Sequence, residues 1–190
     1  FYDDGAPLGK KGADACAIDL LPQAFAALLH RESAGTVFST AQVKEALDSA
    51  IAKLFVPQRH LLRLLTPPFD RSERSAGYIG GYAPGVRENG GQYTHAAIWF
   101  IIALYKTGQK DKAYEYLYML SGINHCKNSA DAAIYKAEPY VLSADVYSGD
   151  NAGRAGWTWY TGAASWYYVA IVRYLFGITF KNGVITVDPA

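Results

Sequence analysis

At 190 residues, with 51% hydrophobic and 18% charged positions, the chain can bury a core and is not a disordered tail. A formal net charge of +1 gives no broad basic footprint, which excludes nucleic acid as a partner class. No apolar run approaches the length of a membrane span.

Aromatic residues make up 14% of the chain, with 15 Tyr and 4 Trp. Core packing accounts for most aromatics, and a Tyr and Trp surplus also fits sugar binding, where a ring covers the C–H face of a pyranose. Cys16 and Cys126 stand far apart without metal-ligand spacing, so neither a disulfide framework nor a metal site is expected, and a reducing, cytoplasmic setting is the simpler assignment.

The chain starts abruptly with Phe1-Tyr2-Asp3-Asp4-Gly5 and no Met, which predicts an excised segment, and its first dozen positions read as loop. Helical spacing of apolar residues predicts a helix over 18–29, with Pro22 tolerated in its first turn. Ser39-Thr40-Ala41-Gln42 has the form of a capping box, and Val43, Ala46, Leu47, Ala50, Ile51 and Leu54 form the stripe of the helix it opens. Residues 61–65 are too short for a helix and read as an extended element or bridging turn. The Gly-, Pro- and charge-rich stretch 70–91 is long for a loop, and such loops tend to be functional.

Helices follow over 92–105 and 110–120, each ending near a glycine. Residues 130–147 read as one helical turn, a break at Pro139 and a further short helix, after which 148–159 is irregular. The last helix, 163–176, is nearly apolar throughout and is expected to be buried on most sides. Ile178-Thr179-Phe180, Asn182-Gly183 and Val184-Ile185-Thr186-Val187 predict a β-hairpin with a two-residue turn. Helices preceded by long loops suit an all-α fold, a partial (α/α)6 toroid of roughly half of a six-hairpin barrel: residues 1–177 form the barrel portion and 178–190 begin a C-terminal β element.

Three clusters carry chemistry. Arg87-Glu88-Asn89-Gly90-Gly91-Gln92-Tyr93-Thr94-His95 gathers a guanidinium, a carboxylate, an amide and an imidazole at a helix entry, where free N–H groups favour an anion. An ordinary helix histidine and a local ion pair are the plainer readings of His95 and of Arg87 with Glu88. Trp157-Thr158-Trp159-Tyr160-Thr161-Gly162 leads into the last helix with Thr161 at the expected N-cap, where a hydroxyl and an amide can hold an oxyanion. Capping alone is the plainer reading there, although it leaves the density of aromatics unexplained. Tyr135-Lys136-Ala137-Glu138-Pro139-Tyr140 places a carboxylate at a helix break, or merely forms a surface kink. An inverting hydrolase needs two separated carboxyl groups, for which Glu88, Glu138 and Asp145 are the candidates. An inverting phosphorylase needs one acid and an anion cradle, because phosphate is the nucleophile.

These strings, together with Leu65-Thr66-Pro67-Pro68-Phe69-Asp70 and Pro84-Gly85-Val86-Arg87, closely resemble glycoside hydrolase family 94: the cellobiose and chitobiose phosphorylases and the phosphorylase-like region of cyclic β-1,2-glucan synthases. The resemblance implies the later part of an (α/α)6 barrel and inverting transfer of a glucosyl-type unit from a β-linked oligosaccharide to inorganic phosphate, the co-substrate, with no cofactor. It places His95, Thr161 and Gly162 on phosphate-contacting positions, Arg87 toward the acceptor sugar, and Glu88, Glu138, Trp157 and Tyr160 on the pocket lining. The family's general acid lies upstream of Phe1, so no catalytic residue is assigned and Asp3 and Asp4 do not fill that role. A sugar 1-phosphate, the missing N-terminal half of the barrel and a second copy are the expected partners, because half a ring exposes apolar faces. The parent is membrane-attached if it is a cyclic glucan synthase. The competing readings are a non-catalytic sugar-binding or assembly module and an inverting glycoside hydrolase.

Overall fold

The computed structural model describes residues 1–30, 37–70, 74–159 and 161–190, the side chain of Thr161 excepted. Among them run six helices: α1 (Leu20–Leu28), α2 (Thr40–Leu54), α3 (Thr94–Lys106), α4 (Lys110–Met119), α5 (Ser129–Tyr135) and α6 (Thr161–Val169). α1 starts where the Asp19 carboxylate accepts the Leu21 amide at 2.7 Å, which leaves Pro22 in the first turn, where its missing N–H is harmless. The capping box predicted for α2 forms between Ser39 and Gln42, and Val43, Leu47, Ala50 and Leu54 are its buried stripe. α3 is the central helix, buried on nearly all sides from Ala96 to Tyr105.

Backbone contacts fix how the helices lie. The Leu20 amide donates to the Leu64 carbonyl and the Leu64 amide to the Gly91 carbonyl, which ties the start of α1 to the start of α3. At the far ends Lys106 Nζ donates to the Leu28 carbonyl at 2.9 Å, so α1 and α3 run parallel. α6 joins them in the same sense: Gly162 lies against His95 at the starts, and the rings of Tyr105 and Tyr174 stack at 6.4 Å beyond the other end. α2 packs on α1 and α4 on α3, α4 following α3 after a short connection. One layer of parallel helices, backed by a second layer, therefore sends α1, α3 and α6 out from the same end of the molecule.

Eight short strands accompany them: β1 (Ile18–Asp19), β2 (Phe55–Val56), β3 (Leu61–Leu62), β4 (Leu65–Thr66), β5 (Gln92–Tyr93), β6 (Asp145–Val146), β7 (Ile178–Lys181) and β8 (Val184–Val187). The antiparallel ribbons β1–β4, β2–β3 and β5–β6 depart from a purely helical reading. They brace the loops at the starts of the parallel helices, and Leu61, Leu62, Leu64 and Leu65 bury themselves in doing so. The short helix expected after Pro139 does not form. Its residues are extended because β6 pairs Asp145 with Tyr93, while Ala144 accepts the Thr94 amide and donates to the Trp157 carbonyl.

The hairpin β7–β8 turns through Asn182 and Gly183, both at positive φ (51° and 80°), as the two-residue turn requires. The last helix differs from expectation in burial. α6 continues as a π-helical turn, Ala170–Leu175, and among their described side chains only Ala163 and Ala170 are buried, with Tyr168 67% exposed. It packs chiefly on α3, so its apolar composition faces outward on the other side. Cys16 and Cys126 are both free, and among the described residues no helix is long and apolar enough to cross a membrane.

Candidate functional site

The loop before β5 is stitched down on two sides. Asn89, fully buried, accepts the Phe69 amide at 2.7 Å and donates to the carbonyls of Phe69 and Tyr82 at 2.9 and 2.8 Å. On the other side the Ser148 hydroxyl donates to the Gly90 carbonyl at 2.8 Å, and the Ser148 amide to Gly85. Gly85 has φ +87°, and a β-carbon there would lie 2.5 Å from the Ser148 carbonyl oxygen, so only glycine fits this crossing.

So held, the loop turns Arg87 through positive φ (49°) and lays its guanidinium over the Trp157 ring, 3.8 Å from the centroid. Glu88 Oε2 stands 3.5 Å from Arg87 Nε, and the two side chains are 11% and 16% exposed. These neighbours in sequence therefore converge on one partly buried spot.

Beneath Trp157 lies Asp145, 1% exposed, which accepts the Trp157 amide at 3.1 Å. A β-carbon on Gly156 would fall 2.1 Å from Asp145 Oδ1, so the backbone passes directly over the carboxylate. Burial pushes the Asp145 carboxyl above its ordinary range, against the pull of the Trp157 amide and the Arg87 charge. Two residues along, Trp159 at φ +63° donates its indole N–H to Glu138 Oε1 at 3.3 Å. Tyr140 meets Trp159 edge-on at 6.2 Å. The exposed Glu138 carboxyl is held below its usual range by its own backbone amide and by the Trp159 indole, so it is ionised at neutral pH.

The third point is at the starts of α3 and α6. A β-carbon on Gly162 would stand 3.6 Å from His95 Nδ1 and 3.7 Å from Cε1, which puts the imidazole beside the opening turn of α6. That helix begins with Thr161 itself, so Thr161 lies in the first turn and not at the preceding N-cap position expected from sequence. Trp99 packs on His95 at 4.4 Å and on Trp166 at 5.6 Å, walling one side. Burial lowers the His95 pKa below its ordinary value, so the ring is neutral at pH 7 and offers one N–H donor and one acceptor. Tyr160 falls outside the described residues.

Segment 156–162 thus connects the assigned groups: Trp157 to Arg87 and Glu88, Trp159 to Glu138, and Gly162 to His95. Sequence reasoning gave Trp99 no role, counted Asn89 only as an amide in the first cluster and not as the loop's anchor, and read Asp145 only as a hydrolase carboxylate. Trp99 was visible in principle, since it lies one helical turn past His95 and so shares its face. Among the described residues no three His, Cys, Asp or Glu side chains group as metal ligands.

Comparison with known proteins agrees with this architecture. The chain is 40% identical over all 190 residues to the cyclic beta-(1,2)-glucan synthase NdvB of Rhizobium meliloti, of which it covers 6%. It is 30% identical over 148 residues to the N,N'-diacetylchitobiose phosphorylase of Vibrio furnissii, covering 77% of this chain and 18% of that one. To the solabiose phosphorylase of Paenibacillus borealis it is 29% identical over 183 residues, 93% of this chain and 22% of the relative. It therefore spans less than a quarter of the length of each of these relatives. Residues 1–177 match the catalytic domain of the glycosyl hydrolase 94 superfamily, and the chain belongs to that family.

Proposed function

We propose that this chain is the later portion of an (α/α)6 barrel that performs inverting phosphorolysis, moving a glucosyl-type unit from a β-linked oligosaccharide to inorganic phosphate. The observation that carries this reading is the neutral His95 ring beside Gly162 at the start of α6. There an oxyanion meets an imidazole N–H and the unpaired amides of a helix's first turn. Arg87, Glu88 and Trp157 bring a cation, a carboxylate and an indole to one spot, groups that suit the hydroxyls and C–H faces of a sugar, and the relatives named as phosphorylases support the same chemistry.

In this reaction a phosphate oxygen attacks the anomeric carbon from the face opposite the glycosidic bond. That bond breaks, its electrons go to the leaving oxygen, and a general acid protonates it, giving the other sugar and an α-sugar 1-phosphate. In this reading the general acid comes from a part of the barrel outside this chain. A hydrolase reading has less behind it. Asp145 is buried under Gly156, Glu88 is paired with Arg87 and Glu138 is bonded to Trp159, so none of these three carboxylates stands free to activate a water.

The test is steady-state kinetics of the full-length protein with a panel of disaccharides. His95→Ala is expected to raise the KM for phosphate far more than that for the sugar. Equal losses for both would remove the cradle and favour a sugar-binding module.

A further inference from the structure

A second polar pocket shares no residue with the site above. Two adjoining cavities, of about 210 and 200 Å³, have His60, Asn124, His125 and Lys127 in common. Arg59 and His60 sit on the turn between β2 and β3, where His60 is held at φ 50°. His125 and Lys127 come from the connection after α4.

The pocket is built, and its lining sets two cations, Arg59 and Lys127, beside two carboxylates, Asp131 and Glu115. His125 stacks flat on the buried ring of Tyr135 at 4.8 Å and hydrogen-bonds the Met119 backbone, while its buried Nε2 has no hydrogen-bond partner. Among the described residues neither Arg59 nor Lys127 has an ion pair; Lys127 instead lies over the Tyr118 ring at 5.3 Å. The one carboxylate lining the first cavity, Asp131, already accepts the Asn128 amide at 2.7 Å. Glu115 lines the second.

We propose that this pocket is a second oxyanion site, taking inorganic phosphate or the phosphoryl group of a sugar phosphate. Arg59 and Lys127 supply charged donors for the oxygens. With its other nitrogen bonded to backbone, a neutral His125 presents Nε2 as an acceptor. The O–H of hydrogen phosphate, or a sugar hydroxyl beside the phosphoryl group, satisfies it. The second cavity, with Tyr118 along its wall, leaves room for a sugar on the same ligand. Because the Tyr135 carbonyl also accepts the Ala155 amide, the pocket backs onto the segment that leads to Gly156 and Trp157.

The test is imidazole NMR of this chain during titration with inorganic phosphate and, separately, glucose 1-phosphate, in wild type and in His95→Ala. Saturable shifts of His60 and His125 are expected in both proteins, and the tighter ligand identifies the source of the oxyanion. Arg59→Ala with Lys127→Ala, both at exposed positions, is expected to weaken half-saturation by about tenfold while leaving the His95 response in place. The absence of saturable shifts with either ligand would overturn the proposal. So would equal shifts with potassium chloride at the same ionic strength.

Discussion

The guanidinium of Arg87 lies 3.8 Å above the centre of the Trp157 ring, although seventy positions of chain separate the two residues. A planar, delocalised cation stacks on an indole as a compact ammonium does not. Arg87→Lys therefore keeps the charge and loses the platform. A double-mutant cycle with Trp157→Leu, read by denaturant unfolding, is expected to show a coupling of about 0.5–2 kcal/mol. Additive effects would mean that the stacked geometry has no energetic weight.

Gly162→Ala separates stability from binding. The new methyl meets His95 at ordinary contact distance and replaces glycine inside a helix, which is worth about 0.5–1 kcal/mol of added stability. It also fills the space between imidazole and helix. The variant is expected to melt no lower than wild type while binding phosphate several-fold more weakly at the His95 seat, as followed by the His95 imidazole signal. Unchanged binding would place the anion elsewhere.

Asn89 satisfies three backbone groups from a fully buried position. Asn89→Ala strands the Phe69 amide and two carbonyls, a loss of at least about 2 kcal/mol. Because the same amide anchors the loop carrying Arg87 and Glu88, sugar affinity should fall with it. Chemical denaturation and sugar titration on the same samples check both; a stable variant with unchanged affinity would show that the loop is held by Ser148 alone.

Asp145 gives stability a pH dependence of known sign. Its carboxyl is raised in the folded chain by burial, so the folded state holds the proton more tightly than the unfolded chain does. Stability from this group is therefore greatest in acid and falls as pH climbs from the ordinary value of 3.8 through the raised one. Asp145→Asn removes that slope and keeps an oxygen for the Trp157 amide. Its melting temperature should gain on wild type across that window and hold a constant lead above it; a difference that does not change with pH contradicts the assignment.

What the sequence disclosed follows from how far each signal reaches. The capping box at Ser39 and the stripe of α2 are local, and they appear as read. The ribbons β1–β4, β2–β3 and β5–β6 have two residues per strand, below the length at which an alternating period can register, and in β1–β4 and β5–β6 the partners are also distant in the chain. The outward face of α6 was illegible because composition reports how apolar a helix is and not which neighbours cover it. Arg87, Glu88 and Trp157 were legible as a motif, but their meeting depends on Gly85 and Gly156 admitting backbone where a side chain would collide. Asp145 stood alone, with no spacing to mark it as the floor under Trp157.

Segment 156–162 works as a ruler. Its near end is pinned where Gly156 crosses Asp145 and its far end where Gly162 meets His95, and successive Cα atoms stand about 3.8 Å apart across a trans peptide. Inserting or deleting one residue between Trp157 and Gly162 would keep every side chain named here and still misplace one end by roughly that step, more than the width of a hydrogen bond. Length, as much as identity, is what this stretch must preserve.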